Sequence, residues 1–497
     1  MVTSISPLTQ EIYQIPNDIN DIDNIDNFLQ INKGKKVIVV QGLGFVGAVM
    51  SLVCANSLTE EYAVIGVDLP NENTFWKIRS INDGLFPLTT VDPKIAQFFE
   101  NTKEKRNFLA TYDPIVYKYA DIIIVDINLD VEKKSHDKGA LKCFDVNLNG
   151  FKSAIKSIAQ NCKDDVLVLV ETTVPPGTCE KLVQPIIEEE FIIRGLSLNN
   201  YSLGHSYERV MPGPEYIDSI REYPRVYAGI NKNSASSVKR FLKTIIDTSK
   251  CELRELKNTN ASEMAKVLEN SYRAMNIAFA VEWSRFAEQA EVDLYSVVDA
   301  IRVRKTHANL MYPGIGVGGY CLTKDPLLAS WAMKNFFGSN SSLDMSVQGV
   351  SINDQMPTYA YDRLVQVFGD LRNKKVAFLG ISYRGDVGDT RFTPVAPLFE
   401  MVKSDGTKIS LHDPFVSYWE EQRLFIEVEL TLALRGNPDI LIISSGHSQY
   451  KKNETINIIM KLKPLFIYDT IGLFSEEQLS LLQTKHEVSV LGRGDLI

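Results

Sequence analysis

No apolar run in this 497-residue chain approaches the ~18 residues that a membrane-spanning helix needs, so no membrane partner is expected. Cysteine is scarce: six residues, unclustered, exclude a disulfide framework and fit free thiols in a reducing cytoplasm. A basic face is missing too, with 53 Lys and Arg against 62 Asp and Glu and a net charge of -9, so broad contact with nucleic acid is not expected. The N-terminus has no basic segment followed by an apolar stretch, and no secretory signal is read there. What remains is ordinary for a globular protein, with 44% hydrophobic and 23% charged residues. The length exceeds the roughly 250 to 300 residues at which single cores stop growing, so two or three domains are expected.

Residues 1–34, with the run NDINDIDNIDN at 17–27, have no long hydrophobic period and read as an appended or weakly ordered segment without chemistry. From Lys35, strand-like runs alternate with helical stretches: VIVV at 37–40, VIGVD at 64–68, DIIIVD at 121–126 and VLVLVET at 166–172. That alternation predicts a doubly wound parallel sheet. Between about 254 and 300, Leu256, Met264, Val267, Leu268, Tyr272, Met275, Phe279 and Trp283 recur mostly at three- and four-residue steps, which predicts one long helix or a broken pair. Strand runs return at 376–380, 408–412, 440–444 and 465–469. The fold class expected is therefore α/β, with two Rossmann-like doubly wound parallel-sheet domains joined by a central long-helix domain.

The first strand runs into GLGFVG at 42–47. Gly42, Gly44 and Gly47 permit a tight turn, close approach to a pyrophosphate and close helix–strand packing, with Phe45 and Val46 opening the helix. A glycine-rich turn can serve packing alone. Here a strand precedes it, a helical stretch follows, and Asp68 ends the next strand about 20 residues on, which is the fingerprint's own context. A carboxylate there accepts hydrogen bonds from ribose hydroxyls and repels a 2'-phosphate, which favours NAD over NADP.

In PGIGVGGYCLTKDP at 313–326, Asp325 and Pro326 read as the N-cap and first residue of a helix. Cys321 would sit just outside that helix N-terminus, where positive potential favours the thiolate, while Gly318 and Gly319 leave room for a substrate. A lone cysteine is more often a small buried hydrophobe, and the other five are read that way or as surface thiols. Lys266 and Asn270 lie four residues apart on one face of the predicted long helix, and an ammonium with an amide can hold an oxyanion. Taken singly, a charged residue on a long helix is usually a solvated face.

Together these segments resemble the UDP-sugar and GDP-sugar dehydrogenase family from Lys35 to about residue 475. The motifs recur in order: GLGFVG at 42–47, ETTVPPGT at 171–178, YERVMPG at 207–213, EMAKVLEN at 263–270, GVGGYCLTKDP at 316–326, GISYRGDVGDTR at 380–391 and HDP at 412–414. The resemblance implies a 6-dehydrogenase that oxidises a primary alcohol twice with two NAD. It makes Cys321 the nucleophile, Lys266 and Asn270 the oxyanion stabilisers, Asp325 with Thr173 the groups positioning water or a base, and Glu208 the family's glutamate. It also implies substrate contacts from Arg209, Gly318, Gly319, Arg384, Arg391 and Lys305, with Asp389 ordering the loop between the two late arginines. The domains expected on this basis are an N-terminal extension at 1–34, an NAD-binding domain at 35–230, a central helical domain at 231–350 bearing the Lys and Cys, and a nucleotide-sugar-binding domain at 351–497.

The chain departs from the family pattern at Ile127-Asn128-Leu129-Asp130, where relatives carry Val-Pro-Thr-Pro, and at Val281-Glu282, where many carry Asn-Glu. Lys305 and His307 occupy a stretch where relatives present an arginine to the substrate. YERVMPG and YPGIGVGG resemble the branch acting on UDP-N-acetylhexosamines, so a UDP-sugar of that class is the substrate expected, ahead of UDP-glucose or GDP-mannose. A single-oxidation dehydrogenase of the 6-phosphogluconate or hydroxyacid type shares the plan but needs no cysteine. A degenerate NAD-binding regulator would have lost reacting groups that are all present here. The long helix would leave an apolar face uncovered in a single copy, which predicts a homodimer or larger assembly.

Overall fold

The computed structural model describes residues 2–88, 90–210 and 213–496; Met211 and Pro212 of the YERVMPG segment lie outside them. The chain forms two compact units, one of Met1–Asp130, Val146–Val267 and Trp331–Asn340, the other of Val131–Asp145, Leu268–Ser330 and Ser341–Ile497.

The first unit is built on an eight-stranded sheet in the spatial order Leu253–Glu255, Arg225–Gly229, Ser202–His205, Leu167–Val170, Ile122–Val125, Lys36–Gln41, Tyr62–Val67, Phe108–Thr111. All neighbours are parallel except Ser202–His205 against Arg225–Gly229. Helices cover a parallel sheet on both faces, so its strands are continuous apolar runs: YAVIGV at 62–67 is buried at every residue. Ile38, Val40, Val64, Ile124 and Leu169 share one core with Val49, Leu52 and Val53 of the helix Phe45–Ala55. Strand order reverses beside Lys36–Gln41, the topological switch point at which open α/β sheets bind ligands.

Residues before Lys36 are not the weakly ordered appendage expected. Thr3–Ile5 and Ile12–Gln14 form an antiparallel hairpin, and Ile22–Ile31 is a helix that buries Ile25 and Phe28. The Asn- and Asp-rich composition hid the pattern, because two apolar side chains three residues apart suffice for a short helix lying on an existing surface.

In the second unit, five parallel strands stand in the order Lys408–His412, Lys375–Leu379, Ile440–Ile443, Phe466–Asp469, Glu487–Val490. Its order also reverses, beside Lys375–Leu379. Here too lies most of a strand pair that the sequence reading did not contain, Asp130–Ser135 with Leu141–Asn147, which begins where the chain departs from the family pattern. Lys133 Nζ meets Asp354 Oδ2 at 2.7 Å and the Leu141 N–H donates to Ser351 Oγ at 3.0 Å, tying the pair to the helix Asp344–Phe368. The predicted long helix is real and unbroken over Thr259–Gln289, with a separate helix at Leu294–Arg302.

Candidate active site

In the first unit the GLGFVG turn has the shape a dinucleotide needs. Gly42 has φ +100°, donates its N–H to Val67 O at 2.8 Å, and a Cβ on it would lie 2.2 Å from Asp126 O. A Cβ on Gly47 would lie 1.9 Å from Gly42 O, so this glycine lets the helix close onto the turn. Gly44 has nothing within 4 Å of a Cβ and caps the helix Phe45–Ala55 without a side-chain bond, so no side chain covers that helix N-terminus from the cap position. Asp68 is half-buried; its Oδ2 accepts the Leu43 N–H at 3.0 Å and its Oδ1 the Leu69 N–H at 2.8 Å. Each oxygen keeps a second lone-pair site. This cradle fits NAD: a helix N-terminus without a side-chain cap suits a pyrophosphate, and a carboxylate with acceptor sites to spare suits the adenosine ribose.

Lys266 is also in the first unit, buried to 7% exposure. Its ammonium donates to Glu208 O at 2.8 Å, stands 3.8 Å from Glu208 Oε1 and lies 5.3 Å from the Tyr207 ring centre. The Glu208 carboxylate accepts the Val210 N–H. Arg209 turns back on Tyr207, donating to its hydroxyl at 3.2 Å and lying over its ring. Thr173 is half-buried after the strand Leu167–Val170, while its neighbour Thr172 is tied by its hydroxyl to the backbone of Val125 and Ile127.

Three titratable groups of this unit were not singled out from sequence. Glu263 is fully buried and accepts the N–H groups of Gly177 at 2.6 Å and Cys179 at 2.8 Å, fastening the ETTVPPGT loop; burial pushes its carboxyl up to about 7. Its place in EMAKVLEN was the available signal. Asp126, whose Oδ2 is buried, is pushed up first by burial and then by Glu208. His205 bonds Ser262 Oγ through Nδ1 at 2.8 Å, and burial pulls it down to about 3, so it is neutral.

The second unit holds the cysteine. Asp325 is not the cap expected but the first residue of the helix Asp325–Asn335, and its N–H bonds Cys321 O at 2.9 Å. Pro326 cannot donate a matching bond, so the turn 321–324 stays separate from the helix it leads into. The Cys321 thiol is exposed, one turn ahead of the helix. Behind it the fully buried Asp325 carboxylate accepts the Asn270 amide at 2.7 Å and the Lys324 ammonium at 2.7 Å. Lys324 was not anticipated; the TKDP sequence was its only signal.

On the side where a Cβ would point, Gly318 and Gly319 face protein and not the open space expected for a substrate. A Cβ on Gly318 would lie 2.4 Å from Tyr383 Cβ and 2.9 Å from Phe392 O; one on Gly319, at φ +83°, would lie 2.9 Å from the Tyr383 ring. The room is filled by the loop after Lys375–Leu379. In that loop Arg391 grips the buried Asp389 through Nε at 2.9 Å and Nη2 at 2.6 Å, and Arg384 is exposed. Asp413 secures the start of the loop, accepting the N–H groups of Ile381 at 2.7 Å and Ser382 at 3.1 Å, with His447 Nε2 at 3.0 Å. Lys305 stands exposed in the short turn Lys305–His307.

Three consecutive domain models of one family match this chain: the NAD binding domain at residues 36–250, the central domain at 260–355 and the UDP binding domain at 377–476. The chain belongs to the UDP-glucose/GDP-mannose dehydrogenase family. It is accordingly an NAD-dependent nucleotide-sugar dehydrogenase, an oxidoreductase, and NAD is its cofactor. A UDP-N-acetyl-D-mannosamine dehydrogenase of Methanococcus aeolicus is 29% identical over 433 residues, covering 86% of this chain and 88% of the relative. The solved structure of a UDP-D-ManNAc dehydrogenase from Pyrococcus horikoshii superposes with a TM-score of 0.75 at 25% identity, covering 92% of this chain and all of the other. An NDP-N-acetyl-D-galactosaminuronic acid dehydrogenase from Methanosarcina mazei Go1, at 24% identity and a TM-score of 0.73 over 95% and 98% of the two chains, shares the fold. No described helix is long and apolar enough to cross a membrane.

Proposed function

We propose that this family member oxidises carbon 6 of a UDP-N-acetylhexosamine from alcohol to carboxylate in two hydride removals, with a thioester on Cys321 between product aldehyde and acid. The observation that carries the reading is the exposed Cys321 thiol one turn ahead of a helix, backed by the buried Asn270–Asp325–Lys324 cluster. When bound, NAD is the acceptor for each hydride; Gly42, Gly44, Phe45, Val46, Gly47 and Asp68 would hold it.

Lys266, a desolvated ammonium, and the Asn270 amide stabilise the alkoxide from which the first hydride leaves, an effect of ~3 kcal/mol for a good oxyanion donor. The Cys321 thiolate then adds to the aldehyde carbon; a C–S bond forms and the carbonyl pair moves to oxygen, where the same two groups meet it. Loss of the second hydride from that carbon leaves an acyl thioester. Water, oriented by Asp325 and Thr173, adds to the acyl carbon and loses its protons to solvent, the C–S bond breaks with its pair returning to sulfur, and the carboxylate departs. Glu208, against Lys266, holds the ammonium in place.

Arg384 and Arg391 suit the diphosphate, with Arg209, Lys305 and the backbone of Gly318 and Gly319 as further substrate contacts. The hexosamine class is supported by the named relatives and by YERVMPG and YPGIGVGG. We further propose a cytoplasmic homodimer supplying a uronate for polysaccharide biosynthesis. Support for the dimer comes from the long helix, where Leu268, Tyr272, Phe279, Trp283 and Phe286 stay 47–66% exposed in a single copy, an apolar stripe a second copy would cover. Light scattering at micromolar concentration should give at least twice the chain mass; a monomer mass would refute it. An NADH assay with UDP-N-acetylhexosamines, UDP-glucose and GDP-mannose tests the main reading. Two NADH per UDP-N-acetylhexosamine are expected; one NADH per sugar, or turnover confined to UDP-glucose or GDP-mannose, would overturn it.

A further inference from the structure

Residues ahead of Lys36 grip both flanks of Asp68, and we infer that they form a positioning element for the adenosine half of the cofactor site. The inference rests on Asp68 being the ribose ligand. The loop that leaves Asp68 ends at the helix Phe75–Asn82, whose own cap residue, Thr74, makes no side-chain cap bond. Thr74 Oγ1 is turned into the loop instead, donating to Asn71 Oδ1 at 2.9 Å.

The missing cap comes from the N-terminal hairpin. Ser4, fully buried, accepts the Trp76 N–H at 3.0 Å and donates to Glu72 O at 2.8 Å. Trp76 is the second residue of that helix, the position an N-cap oxygen serves. One hydroxyl therefore fixes both the helix start and the loop before it.

On the other flank, the Asp68 N–H bonds Thr111 O at 3.2 Å in the neighbouring strand. Thr111 Oγ1 donates to Asp21 Oδ2 at 2.6 Å, the Asp21 N–H donates to Asp113 Oδ2 at 2.9 Å, and the Tyr112 hydroxyl reaches Asn20 O at 3.1 Å. Ile25 and Phe28 anchor the helix that follows. Because the Leu69 N–H is one of the two donors aiming the Asp68 carboxylate, the placement of its loop sets the aim. Loosening either flank lets the carboxylate swing away from the ribose while leaving Lys266 and Cys321 untouched.

The test uses the full chain, with the NADH dissociation constant read by fluorescence in the absence of sugar and Tm read alongside. Ser4→Ala should weaken NADH about five-fold, the equivalent of one lost cap, and Ser4→Thr should restore most of it. Asp21→Ala, acting through the other flank, should weaken NADH in the same direction. Asp68→Asn, measured beside them, separates two failures. If Asp68→Asn leaves NADH affinity unchanged, the ribose assignment falls and this inference with it. If Asp68→Asn weakens NADH while both Ser4→Ala and Asp21→Ala bind as wild type, the ribose assignment stands and the positioning role is overturned. A Ser4→Ala variant that loses sugar affinity as much as NADH affinity also overturns it, since a general loosening moves both.

Discussion

The two parallel sheets begin with nearly the same device and use it differently. Gly42 and Gly380 both follow the first strand of their sheet, with φ of +100° and +97°, and both donate an N–H at 2.8 Å to the end of the strand beside it. Each is hemmed in by the segment after the strand on its other side, Asp126 O at 2.2 Å from a Cβ on Gly42 and Ser445 Cβ at 2.3 Å from one on Gly380. In each, an aspartate after the second strand receives an N–H from the turn: Leu43 to Asp68 at 3.0 Å and Ile381 to Asp413 at 2.7 Å. There the likeness ends. Asp68 is half-buried and keeps acceptor sites open, whereas Asp413 is fully buried and spends its oxygens on Ile381, Ser382, Phe415 and His447. One position on a common frame keeps acceptor sites open in the first sheet, where we propose that it meets the cofactor's ribose, and holds a protein loop in the second, which is why function has to be argued from the contacts and not from the frame.

Substitution should expose the difference. Asp413→Ala removes the acceptor from three backbone N–H groups and His447, and should cost ~3–5 kcal/mol of unfolding free energy by denaturant titration. Burial pushes the Asp413 carboxyl up, but His447 and the backbone donors outweigh it and hold it below the usual range. Its folded pKa is thus depressed: the stabilisation is present above the ordinary carboxylate pKa and is lost as pH falls through the depressed one. Glu263, held up at about 7, has the opposite sign. The unfolded chain releases its proton near the ordinary glutamate pKa while the folded chain keeps it, so stability should fall by up to ~1.4 kcal/mol per pH unit as pH rises between those values. Glu263→Gln should flatten that part of a Tm-against-pH curve, and an unchanged slope would count against the assignment. Asp68→Asn should be mildest on stability, within ~1 kcal/mol, while narrowing the preference for NAD over NADP about tenfold in a KM comparison. A large stability loss at Asp68 with unchanged cofactor preference would make it a structural residue like Asp413.

Both sheets were legible because parallel strands buried on two faces must be unbroken apolar runs, and VIVV, VIGVD, VAFLG and ILIIS are such runs. GLGFVG was legible because Gly42 and Gly47 stand where only glycine fits, and their spacing reflects it. Residues 1–34 were misread because an element resting on a finished surface needs few apolar side chains, here Ile25 and Phe28, and its polar bonds from Ser4 and Asp21 reach partners 68 and 90 residues away. The strand pair at 130–147 was missed for a related reason: its sequence, DVEKKS and LKCFDVN, is mostly exposed and lacks a core-facing alternation. Gly318 and Gly319 were expected to leave room for a substrate, but sequence cannot say what lies where a side chain would go, and in the fold it is Tyr383. The bond from Asn270 to Asp325 spans 55 residues and no local pattern announces it.

The proposed covalent thioester on Cys321 is tested most directly by counting NADH per UDP-N-acetylhexosamine for wild type and Cys321→Ser, with intact mass followed in parallel. Serine is the poorer nucleophile, and its ester has a far more basic leaving group than a thiolate. Wild type should release carboxylate with two NADH per sugar. Cys321→Ser should lose steady turnover by at least ~100-fold, as expected when a nucleophile is removed, and stop at aldehyde or at a slowly hydrolysed adduct of substrate mass. Two NADH per sugar at near wild-type rate from Cys321→Ser would contradict the account and make Cys321 an exposed thiol with no part in the chemistry.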